Sequence, residues 1–330
     1  MGSAPHAGPD RRLIAWTDPG AIPARGRRTD DGEDGMTVQI ARELVLPDSV
    51  VRISASACTD RGAVRSVNED SYLADGPCFV VADGMGGHEH GDLASRAAVI
   101  AFAERFPSDE PATAERVLDA IDEANRAVID LADQRGIAGT CGTTLTGVAL
   151  VDVGDVAHWM AFNVGDSRVY RWDGRRLDQL TVDHSDVQER IDRGELTPEQ
   201  ARDDPRRNIV TKALGADDDV DPDVWIMPAR ARQTFLVCSD GLTRELDDDE
   251  IARIITFHAA QSARESPPIA LAARLVGAAV AAGGHDNVTV VVVESELDVD
   301  DREELAANPT DDTSERGALA HVFEDTLPRS

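Results

Sequence analysis

One design occurs three times in this chain and limits what it can fold into: an apolar run that stops abruptly at an aspartate set among turn residues. Residues 79–87 read FVVADGMGG, residues 235–242 read FLVCSDGL, and residues 283–293 give the mirror order, GGHDNVTVVVV. Short apolar runs bounded by such residues predict core strands. Each would carry an acid, Asp83, Asp240 or Asp286, to the edge of a sheet. Glycine beside the acid lets backbone approach an ion closely, because it has no side chain in the way and tolerates positive φ. A single Asp-Gly after a strand is ordinarily a plain turn. Three acids at three strand ends point instead to a site for a hard cation, which oxygen ligands hold.

Composition narrows the class. With 330 residues and 42% hydrophobic content, the chain can bury one large core or two modest ones, and no apolar run reaches membrane length. The longest, 269–282, is interrupted by Arg274. No basic leader with an apolar stretch opens the sequence, so a cytoplasmic protein with no membrane partner is expected. A formal charge of −29 argues against nucleic-acid binding, which needs clustered Lys and Arg to neutralise phosphates. Cys58, Cys78, Cys141 and Cys238 lie in strand-like segments without CxxC spacing and read as buried, reduced thiols.

Taken in order, residues 1–49 are rich in Gly, Pro, Arg and Asp without periodicity and predict a disordered extension, with Met36 as an alternative native start. Residues 50–294 read as one domain, and 295–330 as an acidic, disordered tail. Within the domain, a strand from residue 50 leads to TDRGAVRSVNED, 59–70. There Arg65 stands just ahead of Glu69 and Asp70, either as a surface ion pair or as a guanidinium fork for phosphate beside carboxylates that attract a cation. The histidines at 88 and 90 read as a loop before a helix. Helices over 91–106 and 112–135 present one apolar face each and would cover a sheet. Strands over 143–151, 156–164, 168–172 and 176–180, joined by short turns, predict an antiparallel meander. Asp166 sits in one of those turns, where an aspartate usually serves its own local hydrogen bonds. The polar insertion 183–204, with a helix start at Thr197-Pro198, is a candidate lid or substrate loop. Residues 208–215, 224–227 and 235–238 read as core segments, followed by helices over 248–260 and 268–282 and a last strand over 288–294.

Eight segments, RSVNED (65–70), DGMGGH (83–88), GTTL (142–145), GDSR (165–168), LTVDHS (180–185), VTKALG (210–215), SDGL (239–242) and HDN (285–287), resemble in order and spacing the motifs of metal-dependent serine/threonine phosphatases of type 2C, in their bacterial form. The resemblance covers roughly residues 54–294. It implies an α+β fold, the four-layer αββα sandwich of two antiparallel β-sheets flanked by helices.

It also implies roles. Asp83 would bridge two manganese or magnesium ions, with the Gly84 carbonyl on one and Asp240 and Asp286 completing the other. Glu69 and Asp70 would hold metal-bound waters, and Arg65 the substrate phosphate, for direct attack of water on phosphorus without a phosphoenzyme. Bacterial members resembling this chain hold a third, weaker ion between the equivalents of Asp166 and Asp240. Met85 stands where eukaryotic members carry a histidine proposed as general acid, so the proton donor to the leaving group is left open. The implied partners are phosphorylated proteins, substrates of serine/threonine kinases, acted on by a monomer. Two alternatives stay open: a hydrolase of small phosphoesters on the same centre, and a phosphoprotein-binding pseudophosphatase.

Overall fold

The computed structural model describes residues 27–30, 35–47, 49–86, 90–106, 110–137, 141–261 and 269–299. Strands β1 (Arg27–Asp30), β2 (Gly35–Leu46), β3 (Ser49–Asp60), β4 (Asp70–Asp75) and β5 (Cys78–Met85) are followed by helices α1 (Gly91–Ala103) and α2 (Ala114–Arg135). Then come β6 (Gly142–Thr143), β7 (Leu145–Val153), β8 (Val156–Val164), β9 (Arg168–Trp172) and β10 (Leu177–Gln179), with short helices α3 (Asp186–Asp192) and α4 (Pro198–Arg202). The described chain closes with β11 (Asp223–Pro228), β12 (Arg232–Cys238), α5 (Asp240–Glu245), α6 (Asp248–Gln261), α7 (Leu271–Ala282) and β13 (Val288–Val299).

The strands form two antiparallel sheets, ordered β1-β2-β3-β13-β12-β9-β10 and β11-β8-β7-β5-β4, with β6 paired to β5 beyond the second path. Three apolar layers alternate with them. Between the sheets, Phe79 and Val81 of β5 meet Phe235 and Val237 of β12 around Trp159, which is fully buried. The Trp159 ring lies 5.1 Å from that of Phe235 and 6.4 Å from that of Phe79. On the other face of β5, Val80 and Ala82 pack under Ala98, Phe102 and Ile121 of α1 and α2. Beyond the first sheet, Leu236, Val290 and Val292 pack under Leu242, Ile251 and Leu275 of α5, α6 and α7. Strands covered on both faces have no polar side to show, which is why 79–82, 235–238 and 290–293 are continuous apolar runs and not alternating ones. The expected four-layer αββα sandwich is the observed fold.

Local signals set the helix ends. Thr113 caps α2 by accepting from the Arg116 N–H, and Gly136, at φ 69°, closes it in the left-handed conformation. Thr197 and Gln200 form a capping box ahead of Pro198 in α4, the start legible in the sequence.

Four expectations need correction. Disorder through residue 49 is contradicted by β1 and β2; β2 pairs with β3 along its whole length, and Val38, Ile40, Leu44 and Leu46 are buried in the inter-sheet layer. Likewise β13 runs past 294 to Val299, still paired with β3. The meander breaks at 165–167: β7 and β8 pair in one sheet, while β9 and β10 belong to the other, so the short turn crosses between layers. Residues 208–215 form no strand, and Leu214 is the buried hydrophobic side chain among them. Residues 1–26 of the expected extension, 300–330 of the expected tail from 295, and 88 in the expected loop lie outside the described residues.

Because Leu44 is fully buried against the second sheet, Leu44→Ala should destabilise the protein by about 2–5 kcal/mol. Urea unfolding checks this. An unchanged midpoint would return this strand to a dispensable extension.

Candidate metal centre at the sheet ends

Pairing brings the predicted acids together. Asp70 at the start of β4 lies opposite Asp83 near the end of β5. In the other sheet Cys238 pairs with Val290, so Asp240, just past β12, and Asp286, just before β13, share one edge. A hydroxyl joins the two edges: Ser239 Oγ donates to Asp70 Oδ2 at 2.8 Å and accepts from the Thr289 N–H at 2.9 Å. Asn287 fastens the loop before β4. Its Nδ2 donates to the carbonyls of Arg61 and Val67, both at 2.9 Å, and its Oδ1 accepts from the Glu69 N–H at 2.9 Å. Asp83 is fixed through its backbone, its N–H donating to Thr144 Oγ1 at 2.8 Å and its carbonyl accepting from Thr143 Oγ1 at 2.9 Å. At Gly84 any Cβ would strike the carbonyls of Gly91 and Glu69, so only glycine lets the three segments meet.

The result is a concentration of like charge with little water. Burial, reinforced by Asp70, Asp240, Asp166 and Asp286, raises the Asp83 carboxyl well above the usual carboxylate range. Burial likewise lifts Asp70 to about 7 and, with Asp240 and Asp183 beside it, Asp166 to about 8. Asp240 is raised by burial against the opposing charge of Arg244, and Glu69 is raised by its own desolvation. Arg65 reaches the cluster from the rim, half exposed, with Nη2 on Asp286 Oδ2 at 2.8 Å. It pairs across the fold and not with the neighbouring Glu69 and Asp70 that its sequence position suggested.

All eight predicted residues, Arg65, Glu69, Asp70, Asp83, Gly84, Asp166, Asp240 and Asp286, thus converge at one end of the sandwich. One residue of the cluster escaped the sequence reading. Arg244, on α5, sends Nη2 to Asp240 Oδ2 and Nη1 to Asp286 Oδ2. The signal was its spacing of four from Asp240, which places both on one helix face; the helix itself was missed because SDGLTRE reads as a turn. Next to the cluster lies a cavity of about 560 Å³, bounded on one side by Val187, Gln188 and Arg202 of the 183–204 insertion and on the other by Thr243 and Arg244. The candidate substrate loop therefore borders the acids.

The donor set suits manganese or magnesium. It is all oxygen, and Oδ1 of both Asp70 and Asp240 is buried without a hydrogen-bond partner, an arrangement a cation relieves. Five buried or half-buried aspartates face two arginines, too few positive charges for all five to ionise, so the acids are pushed toward their protonated forms until a cation joins them. No three acid, histidine or cysteine side chains among the described residues are yet drawn close enough to ligate one ion.

The chain is similar to known proteins. The family model "Protein phosphatase 2C" matches residues 57–278. The serine/threonine phosphatase stp of Listeria monocytogenes is 34% identical over 249 residues, 72% of this chain and 94% of its own. The solved serine/threonine phosphatase PstP/Ppp of Mycobacterium tuberculosis, 34% identical, covers 73% of this chain and 97% of its own with a TM-score of 0.64. A PstP catalytic domain solved with two manganese ions, 33% identical, covers 76% of this chain and 100% of its own at 0.63. The chain belongs to the protein phosphatase 2C family.

Asp70 and Asp166 hold protons in the folded protein that unfolded carboxylates, near pH 4, have released. The stability of chelator-treated protein should therefore be greatest below about pH 4–5 as far as these groups are concerned, and fall as pH rises through about 7 and 8. Melting temperatures across this range should show the decline, and Asp166→Asn should flatten its upper part; an identical profile in the variant would contradict the assignment.

Proposed function

We propose that this protein is a metal-dependent protein serine/threonine phosphatase that hydrolyses phosphoserine and phosphothreonine at a binuclear manganese or magnesium centre. The observation that carries the reading is the meeting of Asp83, Asp240 and Asp286 from three strand ends, with one carboxylate oxygen of Asp240 and one of the adjacent Asp70 left without a partner, in a chain of this family. Asp83 and the Gly84 carbonyl would hold one ion, and Asp83, Asp240 and Asp286 the other, with Glu69 and Asp70 orienting waters around them. When bound, such ions neutralise charge on the phosphoryl oxygens and make water acidic enough to attack near neutral pH.

The chain's own residues do the rest. Arg65 offers a planar fork at the half-exposed rim, suited to two phosphate oxygens, and its charge stabilises the transition state. Ser239 orients the Asp70 carboxylate, and Asn287 holds the backbone at Glu69. Thr143 and Thr144 fix the Asp83 backbone from which its carboxylate projects. Asp166, buried next to Asp240, would hold a third, weaker ion with it on the side of the 183–204 loop, near the leaving group that Met85 does not protonate.

Phosphoproteins modified by serine/threonine kinases are the proposed substrates, met by a monomer in the cytoplasm. Cys58, Cys78, Cys141 and Cys238 are buried and form no disulfide among the described residues, which fits a reducing compartment. No described helix is long and apolar enough to cross a membrane.

Activity on a phosphothreonine peptide should vanish with chelator and return with manganese, and Asp83→Asn should lower kcat by at least ~100-fold, since even supporting partners of a metal site are worth 10–100-fold. Near-normal turnover in the variant would sink the ligand assignment. Asp166→Ala should lose about 10²-fold on phosphopeptides but far less on p-nitrophenyl phosphate, whose leaving group scarcely needs a proton. Equal losses on both substrates would leave Asp166 a turn residue.

A further inference from the structure

Arg244 stands among the acids that the proposed ions need. It is one turn along α5 from Asp240, is about one quarter exposed (28%), and bridges Asp240 and Asp286, two acids from different segments, with the two arms of its guanidinium. Its charge also faces Asp83 and Asp166, so four carboxylates from β5, the β8–β9 turn, α5 and the start of β13 surround one cation, with Arg65 the other positive group on Asp286. The oxygens it occupies, Oδ2 of both acids, belong to residues proposed as ligands of one ion. A guanidinium and a divalent cation on the same oxygens repel and exclude each other.

We propose that Arg244 is a resident cation of this centre, which neutralises the acids before metal arrives and must be displaced for it to bind, so that this side chain sets the metal affinity. The inference rests on the phosphatase reading above for the identity of the ion. Geometry allows the exchange: Arg244 already lines the 560 Å³ cavity, whose wall on the α6 side carries Asp247, Asp248 and Glu250, acids able to receive the displaced guanidinium.

Calorimetric titration of the chelator-stripped full chain with manganese chloride at pH 7 tests this without measuring activity. Arg244→Gln should bind manganese at least about tenfold more tightly than the wild type. Stripped Arg244→Gln should also melt at a lower temperature than stripped wild type, with the gap closing in saturating manganese. Should the stripped variant not fold, Arg244→Lys takes its place; it keeps the charge but loses the planar two-armed fork, so a smaller tightening is expected. Unchanged or weaker manganese affinity in the variant, beside a wild type that binds, overturns the role of Arg244 and leaves the phosphatase reading standing. A wild type that binds no manganese sinks both.

Discussion

The repulsion among Asp70, Asp83, Asp166, Asp240 and Asp286 is the constraint on which the rest of this structure turns. Carboxylates placed this close, at the dry end of a sandwich, push one another toward the protonated form. A fold that puts them there gives up stability unless cations arrive. Arg65 and Arg244 supply two positive charges, and the unpartnered oxygens of Asp70 and Asp240 mark where more is needed. Function and cost thus have one source, as expected where a site is built for charge that comes and goes.

Holding those acids in place falls to uncharged side chains. Ser239 bridges the two sheets through Asp70 and the Thr289 N–H, and Asn287 ties the 61–69 loop to β13 with three hydrogen bonds. Such neutral partners fix orientation without adding to the field. Behind them the inter-sheet layer around Trp159, Phe79 and Phe235 makes the relative position of the sheets stiff, since close-packed interiors yield little. A displacement at Trp159 would therefore be felt at the distance between Asp83 and Asp240.

Much of this was legible in the sequence, because periodicity and turn chemistry are local. The doubly buried strands announced themselves as unbroken apolar runs, α2 by the apolar face expected over 112–135, and α4 by its Thr197-Pro198 start. Strand-end acids marked Asp83, Asp240 and Asp286 as candidates before any neighbour was known. The resemblance of eight short motifs to type 2C phosphatases added the αββα architecture and the roles of Glu69, Asp70 and Asp166, which spacing alone left as a surface pair and a turn.

Tertiary structure decided what depends on partners far along the chain. β2 reads as the end of a non-periodic extension because the short alternation of Val38 and Ile40 with polar residues is outweighed by the Gly-, Pro- and Asp-rich residues before it, yet twelve of its residues pair with β3 and four of its side chains enter the inter-sheet core. The turn at 165–167 has the same residues whether the chain doubles back or crosses to the other sheet; β12, lying beside β9, makes it cross. Arg65 precedes Glu69 and Asp70 but bonds to Asp286, 221 residues away. Arg244 enters the centre only because α5 turns it there. Sequence determined which residues carry charge and which strands are buried, whereas the electrostatic neighbourhood, being a property of distances through space, existed only once the two sheets had closed on each other.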